Sequence, residues 1–137
     1  MEADLARSFE PEYSTGKDKL SPILREIIER GQKVLAIDYN NAVSRIPEFN
    51  RAFDNLFDWH DIILTPATTG EAPVGLESTG SPIFCTIWTL CGMPAITLPI
   101  LQGSHGLPLG VQLVGSKGDD ARLLRTARWL VSNLAGD

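Results

Sequence analysis

The chain has few cysteines and no excess of basic residues, and each shortage excludes a class of protein. Its 137 residues include two cysteines, Cys85 and Cys91, too few for a disulfide framework or a cysteine-rich zinc site. Such low cysteine use suggests a reducing compartment. Twelve Lys and Arg residues against seventeen Asp and Glu residues give a net charge of −5. Because nucleic acids and anionic membranes attract basic surfaces, this balance argues against both as partners.

The sequence also shows no targeting or membrane-spanning segment. Its opening carries acidic side chains and no apolar run, so no signal peptide is visible. Residues 83–101 lack charge over about the length of a transmembrane helix, but Gly92, Pro94 and Pro99 interrupt them. We therefore expect a cytoplasmic protein.

Charge is unevenly distributed along the chain. Residues 1–60 carry eleven acidic and eight basic residues, whereas residues 62–116 carry only Glu71 and Glu77 and no Lys or Arg. Charged side chains are rarely buried without a partner, so the nearly charge-free span should be mostly interior. The length suits one domain. We expect residues 1–137 to form a single domain, with residues 1–60 mainly helical and residues 61–137 providing a sheet core and a C-terminal helix.

The first sixty residues carry apolar side chains at helical spacing. Residues 1–9 suit one or two helical turns, and residues 10–20 have the polar composition of a loop. A helix is predicted over about 38–58, which Pro47 should kink or split because proline has no backbone N–H.

Two Ser-Pro pairs predict helix starts, because serine caps the N-terminus and proline suits the first helical position. The helix after Ser21 should end at Gly31, and the helix after Ser81 should run to Cys91. The second of these helices is apolar on nearly all sides, so we expect it to be buried.

Short apolar runs predict three strands, at residues 61–66, 95–101 and 109–114. The loop 67–80 follows the first strand, and a glycine-bearing turn at 102–106 joins the other two. The predicted fold class is α/β, of the mixed α+β kind, with a short sheet of about three strands packed by helices.

A final helix should start at Asp119 or Asp120, which can cap it. Its apolar stripe needs a sheet or another helix to cover it. The stripe consists of Leu123, Leu124, Ala127, Leu130, Val131 and Leu134.

Three stretches of the second half carry a resemblance to a known family. They are DIILTPAT at 61–68, SPIFCTIWTLCGMPAITLPI at 81–100 and GLPLGVQLVGSKGDDARLL at 106–124. Together they resemble the C-terminal third of the amidase signature family. The resemblance is most specific from Gly92 to Pro99 and from Gly106 to Gly115.

The resemblance implies part of a large mixed sheet between helices, in enzymes that hydrolyse carboxamides or transfer ammonia from them. It also implies catalysis by two serines and a lysine in or beside a Gly/Ser-rich segment, without a cofactor. This chain contains no Gly-Gly pair and no Ser-Ser pair. Ser116 and Lys117 are adjacent, but neighbouring side chains on a strand or turn usually point apart. We therefore expect the catalytic residues upstream of Met1 and assign none here.

The resemblance places one part of a substrate site in this chain. It implies that Thr65, Thr68, Phe84, Cys85 and Trp88 form a substrate-pocket wall, with the alternative that Phe84 and Trp88 belong to the core. Glutamine-using members of the family hold the substrate ammonium with an acid near the start of this helix. Residues 80–83 offer no acid, which favours a less polar amide over glutamine or an aminoacyl-tRNA.

Two further groups of residues are candidates for chemical sites. A pair of Cys85 and His105 would be a nucleophile and its base, although a cysteine on a buried helix more often acts as a small apolar side chain. Glu71 and Glu77 lie in one loop, where two acids are usually just solvated. No metal site is predicted.

Three functions follow from these features. The chain is expected to be the C-terminal portion of an amidase, contributing scaffold and pocket wall and inactive alone. The alternative is a non-catalytic module that associates with itself, forming a homodimer or higher oligomer through an exposed sheet edge. The third is an unrelated small enzyme that uses Cys85 and His105.

Overall fold

The computed structural model describes residues 1–76 and 78–134. It confirms a mixed fold of helices and strands. Its contacts divide the chain into two compact units, Met1–Ile46 and a second unit that begins at Pro47. The first unit is helical, and the second contains the sheet.

The first unit is built from short helices. They are α1 (Glu2–Ser8), α2 (Glu10–Gly16), a 3-10 turn (Lys17–Lys19), α3 (Pro22–Gly31) and α4 (Ala36–Ser44). Helix α3 has the predicted bounds, since the Ser21 hydroxyl accepts a hydrogen bond from the Leu24 N–H at 3.3 Å. Helix α3 packs against α1, and Ile28 of α3 is fully buried. A Cβ at Gly31 would overlap the Glu2 carbonyl, so only glycine permits this close approach.

The prediction of a loop at residues 10–20 was wrong. Pro11 lies in the first turn of α2, where its missing N–H breaks no helical bond. Glu10 and Glu12 also lie in the first turn of α2, where their negative charges are stabilised by the positive end of the helix dipole. A Glu-Pro-Glu sequence is therefore as typical of a helix start as of a loop.

The long helix predicted over about 38–58 is split near Pro47 into α4 and α5 (Ile46–Phe57), which is one of the two predicted outcomes, a kink or a split. Helix α5 begins after Arg45, and Pro47 occupies its first turn. One face of α5 carries Phe49, Phe53 and Phe57. These side chains pack against a buried cluster that includes Trp88 and Val114.

Three strands form one antiparallel sheet in the order β1-β3-β2 within the described residues. They are β1 (Ile63–Pro66), β2 (Ala95–Gln102) and β3 (Pro108–Val114). The register places Thr65 and Thr97 on either side of Gln112. The predicted glycine-bearing turn joins β2 to β3, with Gly106 at a φ of 78°. The central strand β3 is the most buried, with Leu113 and Val114 both at 0% exposure.

The sheet has an apolar cluster on each face. Helix α7 (Asp120–Leu134) covers one face with Leu123 and Ala127, which pack near Leu98 and Leu113. Asp119 caps α7, since its carboxylate accepts the Arg122 N–H at 3.2 Å. The other face packs against Trp88, Cys91 and Met93 together with the phenylalanines of α5.

The apolar stripe of α7 is only partly covered. Leu123 and Ala127 are buried as predicted, whereas Leu124 and Leu134 are 56% and 55% exposed. The stripe is wider than the strip of sheet beneath it, so its far side faces outward in the described part of the chain.

The helix predicted from Ser81 is shorter than expected. Helix α6 spans Thr86–Cys91, and residues 82–85 form a turn in front of it. The Ser81 hydroxyl accepts a hydrogen bond from the N–H of Ile83, two residues on, which is a serine turn and not a helix cap. The expected burial holds for one side only, since Trp88 and Cys91 are buried whereas Thr86 and Thr89 are exposed. Ile83, in front of the helix, is 64% exposed. The helix ends at Gly92 with a φ of 68°, the left-handed geometry that glycine favours.

Leu113→Ala should destabilise the second unit. Leu113 is fully buried in the central strand, so its truncation leaves a cavity and should lower the free energy of unfolding by about 2–5 kcal/mol. Leu76 is fully exposed, and Leu76→Ala should change this free energy by less than about 0.5 kcal/mol. Urea titrations of both variants measure the difference, and equal effects would contradict the assigned core.

Candidate active-site wall

A buried glutamine connects most of the predicted wall residues. Gln112 is 3% exposed on β3. Its amide nitrogen donates to the carbonyl of Phe84 at 2.9 Å and to the hydroxyl of Thr65 at 3.1 Å. Its amide oxygen faces the Cys85 thiol at 3.6 Å. Because a buried amide without partners is costly, these contacts fix the glutamine and the turn at 84–85 together.

The register of the sheet explains why Thr65 meets Gln112. Thr65 and Gln112 are direct partners across antiparallel strands, so their side chains project to the same face. The Thr65 hydroxyl also donates to the Pro66 carbonyl at 3.1 Å, so the threonine has a partner on either side.

The loop after β1 contacts the turn that carries Cys85. The Thr68 hydroxyl donates to the Ser81 carbonyl at 3.1 Å. The carbonyl of Ala67 lies 3.5 Å from the Cys85 sulfur, which therefore has two acceptors for its one proton. Thr65, Thr68, Phe84 and Cys85 are all half-buried, so each is held by the fold while part of its surface stays open.

Trp88 lies deeper than the other predicted wall residues. It is 9% exposed and packs edge-on against Phe53, with ring centroids 5.3 Å apart. Its indole nitrogen is buried without a hydrogen-bond partner. Trp88 is thus a core residue in the described structure, as the alternative had it, whereas Phe84 lies at the half-buried turn. Whether any of the five contacts substrate stays a prediction.

Sequence reasoning missed Gln112. The signal was present, since Gln112 is the one polar residue between Leu109 and Val114, a run predicted to be a buried strand. A polar side chain at such a position must find partners inside the protein, which marks it as a connecting residue.

Glu71 is also not the solvated acid that its loop position predicted. Its side chain is 16% exposed and contacts the imidazole of His105. It accepts backbone N–H groups from His105 at 3.2 Å and from Leu107 at 3.3 Å. The other acid of this loop, Glu77, lies outside the described residues.

The structure does not bring Cys85 and His105 together as a pair. The Cys85 thiol faces Ala67 and Gln112, and the ring nitrogen Nδ1 of His105 faces Glu71. Ser104 lies 3.4 Å from the same Nδ1. A serine–histidine–acid triad needs the serine and the acid on opposite ring nitrogens, so this cluster does not form one.

The second cysteine, Cys91, is buried in α6. Burial raises the pKa of the Cys91 thiol, an effect that nearby Lys117 partly opposes. In residues 1–76 and 78–134, no three His, Cys, Asp or Glu side chains converge on a position suited to a metal ion. No helix in that part of the chain combines the length and the apolar character needed to cross a bilayer.

The fold is a mixed architecture of helices and a three-stranded sheet, and comparison with known proteins identifies its family. The amidase family model matches residues 6–124. The chain therefore belongs to the amidase family.

Relatives and solved structures agree with this assignment. Mycobacterium tuberculosis AmiD, an amidase by name, is 32% identical over 123 residues that cover 82% of this chain and 26% of that protein. A glutamyl-tRNA(Gln) amidotransferase subunit from Agathobacter rectalis is 32% identical over 136 residues, covering 90% of this chain and 26% of that protein. A crystal structure of an amidase superposes with a TM-score of 0.78 at 26% identity, covering 96% of this chain and 33% of that one. The chain thus spans about a quarter of the length of the curated relatives it matches.

Gln112→Leu should loosen the wall. The variant keeps a side chain of similar size but leaves the Phe84 carbonyl and the Thr65 hydroxyl without their donor, which should cost about 1–3 kcal/mol in the free energy of unfolding. Gln32→Leu, at an exposed position, is the matched control and should have little effect. Urea unfolding of both variants measures the costs. An unchanged stability in Gln112→Leu would show that these bonds do not hold the wall.

Proposed function

We propose that this chain forms part of an amidase that hydrolyses a carboxamide to a carboxylate and ammonia. In this proposal it contributes scaffold and one wall of the substrate pocket, and the serine nucleophile and lysine base lie outside these residues. The observation that carries the proposal is the Gln112 network, which fixes Thr65 and the turn at Phe84 and Cys85 in a chain of the amidase family.

The arrangement suits a wall better than a catalyst. Amide hydrolysis needs a nucleophile with a base positioned to take its proton, and donors for the oxyanion. The ammonium of Lys117 lies beside Gly92. Burial raises the pKa of the Cys91 thiol, and the Lys117 ammonium partly offsets that rise. The half-buried Thr65, Thr68, Phe84 and Cys85 present hydroxyl, thiol and aromatic surface, a mixture that selects a substrate by shape and a few hydrogen bonds.

We propose a less polar amide as the substrate. Relatives include amidases and also a component of a glutamyl-tRNA(Gln) amidotransferase. However, residues 80–83 carry no acid that would hold a substrate ammonium. The half-buried Phe84 beside these residues favours an aliphatic or aromatic acyl group.

The folded chain should release no ammonia from a panel of aliphatic and aromatic carboxamides. Titration with benzamide should shift backbone amide resonances at Thr65, Thr68, Phe84 and Cys85, with benzoate as the matched control ligand. Shifts confined to other residues would contradict the wall. Ammonia release that disappears in Cys85→Ala but persists in Cys91→Ala would overturn the assignment of catalysis to residues outside this chain.

The exposed edge of the sheet supports a second candidate, a module that associates with a second copy of itself. In the described residues β1 and β2 are edge strands, each with one row of backbone groups that no strand pairs. An apolar depression of about 250 Å³ extends across all three strands, and its lining includes Leu64 and Pro66 of β1, Leu109 of β3 and Leu101 of β2. Leu64 and Leu101 are 59% and 52% exposed.

Sedimentation at micromolar concentration should show a homodimer or higher oligomer. Leu64→Lys should shift it towards monomer, because a charge at this edge opposes strand pairing. Leu76→Lys, a fully exposed leucine in the loop outside the sheet, is the matched control. A monomer for the unmodified chain would reject the self-association candidate.

A further inference from the structure

The carboxylate of Glu71 lies against the turn that joins β2 to β3. Both of its oxygens accept the N–H of His105, at 3.3 and 3.2 Å, and one also accepts the N–H of Leu107 at 3.3 Å. The Ser104 hydroxyl donates to the carboxylate at 3.3 Å, and His105 Nδ1 contacts the same oxygen. One side chain from the loop therefore gathers four donors of the turn.

The composition of this region makes the pairing specific. Residues 62–116 contain no Lys or Arg, so His105 is the side chain of that span that can become a cation. Glu71 is 16% exposed while His105 is 73% exposed, so the imidazole partly covers the carboxylate and faces solvent on its outer side. A charge-assisted hydrogen bond in this setting is stronger than one between neutral groups.

Gly103 leaves the space that the carboxylate occupies. A Cβ at Gly103 would overlap the Glu71 carboxylate, and the φ of Gly103 lies outside the left-handed region, so the obstacle is steric alone. Gly70, one residue before Glu71, has open space around it and a similarly ordinary φ. The contact with Glu71 therefore needs glycine at position 103 but not at position 70.

The same short loop contacts the candidate wall and the hairpin. At its start, Thr68 and Ala67 contact Ser81 and Cys85. Further along, the Ala72 N–H donates to the Pro108 carbonyl at 3.1 Å, beside the Glu71 contacts. The Ala67 N–H donates to the Gly110 carbonyl at 3.0 Å, so the loop is bonded to the sheet at its start as well as at residues 71–72. The Glu71 contacts limit how far the loop can move just after the residues that border Cys85.

We propose that Glu71 and His105 form a clasp that holds the loop 67–76 against the β2–β3 hairpin, which makes Glu71 a positioning residue for the pocket wall. The part that concerns the pocket rests on the proposed function. The clasp itself is a property of the loop and the hairpin.

The clasp should weaken in acid. The hydrogen bond from His105, aided by the N–H groups of His105 and Leu107, holds the pKa of the Glu71 carboxyl below its usual value, although burial opposes this. His105 is the titratable side chain that acts on this carboxylate in the described residues. Because the pKa is lower in the folded state, the stabilisation is complete above the ordinary glutamate pKa and is lost as pH falls through the lowered value.

Thermolysin cleavage and backbone amide resonances test the clasp on the whole chain. Thermolysin cuts before large apolar residues, and the loop exposes Val74 at 82% and Leu76 at 100%. Glu71→Gln and Gly103→Ala should each speed cleavage in this loop by about tenfold, since opening no longer breaks the charged hydrogen bonds. Gly70→Ala should leave the rate unchanged. His105→Ala should raise it by less, because the backbone N–H groups of the turn remain.

The pH readout separates a clasp from a passive contact. In the unmodified chain the amide proton chemical shifts of His105 and Leu107 should change together with pH, as the Glu71 carboxyl titrates. The midpoint should lie below the ordinary glutamate pKa, and in Glu71→Gln this change should be absent. Cleavage of Glu71→Gln at the rate of Gly70→Ala, or resonances that do not titrate in the unmodified chain, would overturn the clasp. Neither readout uses an amide substrate, so failure of the clasp and failure of the proposed function are distinguished by separate experiments.

Discussion

The second unit depends on one requirement, that a buried primary amide on the central strand must find partners. Gln112 is 3% exposed and is followed along β3 by Leu113 and Val114, both at 0% exposure, so its amide must be satisfied inside the protein. It meets the requirement with a hydroxyl from β1, a backbone carbonyl from the turn before α6 and a thiol from the same turn. These three contacts join segments far apart in sequence. The register places Thr65 opposite Gln112, and this one polar side chain then links β1, the central strand and the turn at 84–85.

Local signals predicted the elements whose ends depend on nearby residues. The cap at Ser21, the glycine end at Gly92 and the cap at Asp119 all act within one helical turn, and the structure contains each of them. Helix α3 ends at Gly31 as predicted, but glycine is needed there because the Glu2 backbone lies against it. The helix over residues 10–16 was missed because Glu-Pro-Glu fits a loop and a helix start equally well. The start of α6 was misplaced because the Ser81 hydroxyl accepts from the N–H two residues on, while the Ser81 carbonyl accepts from Thr68 in a loop that sequence patterns do not place beside it.

The candidate wall was only partly predictable, for a different reason. The resemblance supplied Thr65, Thr68, Phe84, Cys85 and Trp88 as a set, but their contacts run through Gln112 and Ser81. The partners in these contacts are between 13 and 47 positions apart along the chain. Glu71 and His105 are 34 positions apart, and neither carries a motif that indicates the other. Periodicity and capping rules act over a few residues, so side-chain pairs of this kind emerge only when the sheet register is known.

The position of β3 between β1 and β2 also determines an order of assembly. Strand β3 is linked to β2 by a short turn. Its other partner, β1, is separated from it by a long segment, since Pro66 pairs with Val111. Closing the longer loop costs more chain entropy, and hairpins close within microseconds. The β2–β3 hairpin should therefore form first and present Gln112 on an incomplete sheet, with its amide unpaired until β1 and the 84–85 turn arrive. In this order the polar group of the central strand is satisfied last, when the strand and the turn that carry its partners pack against it.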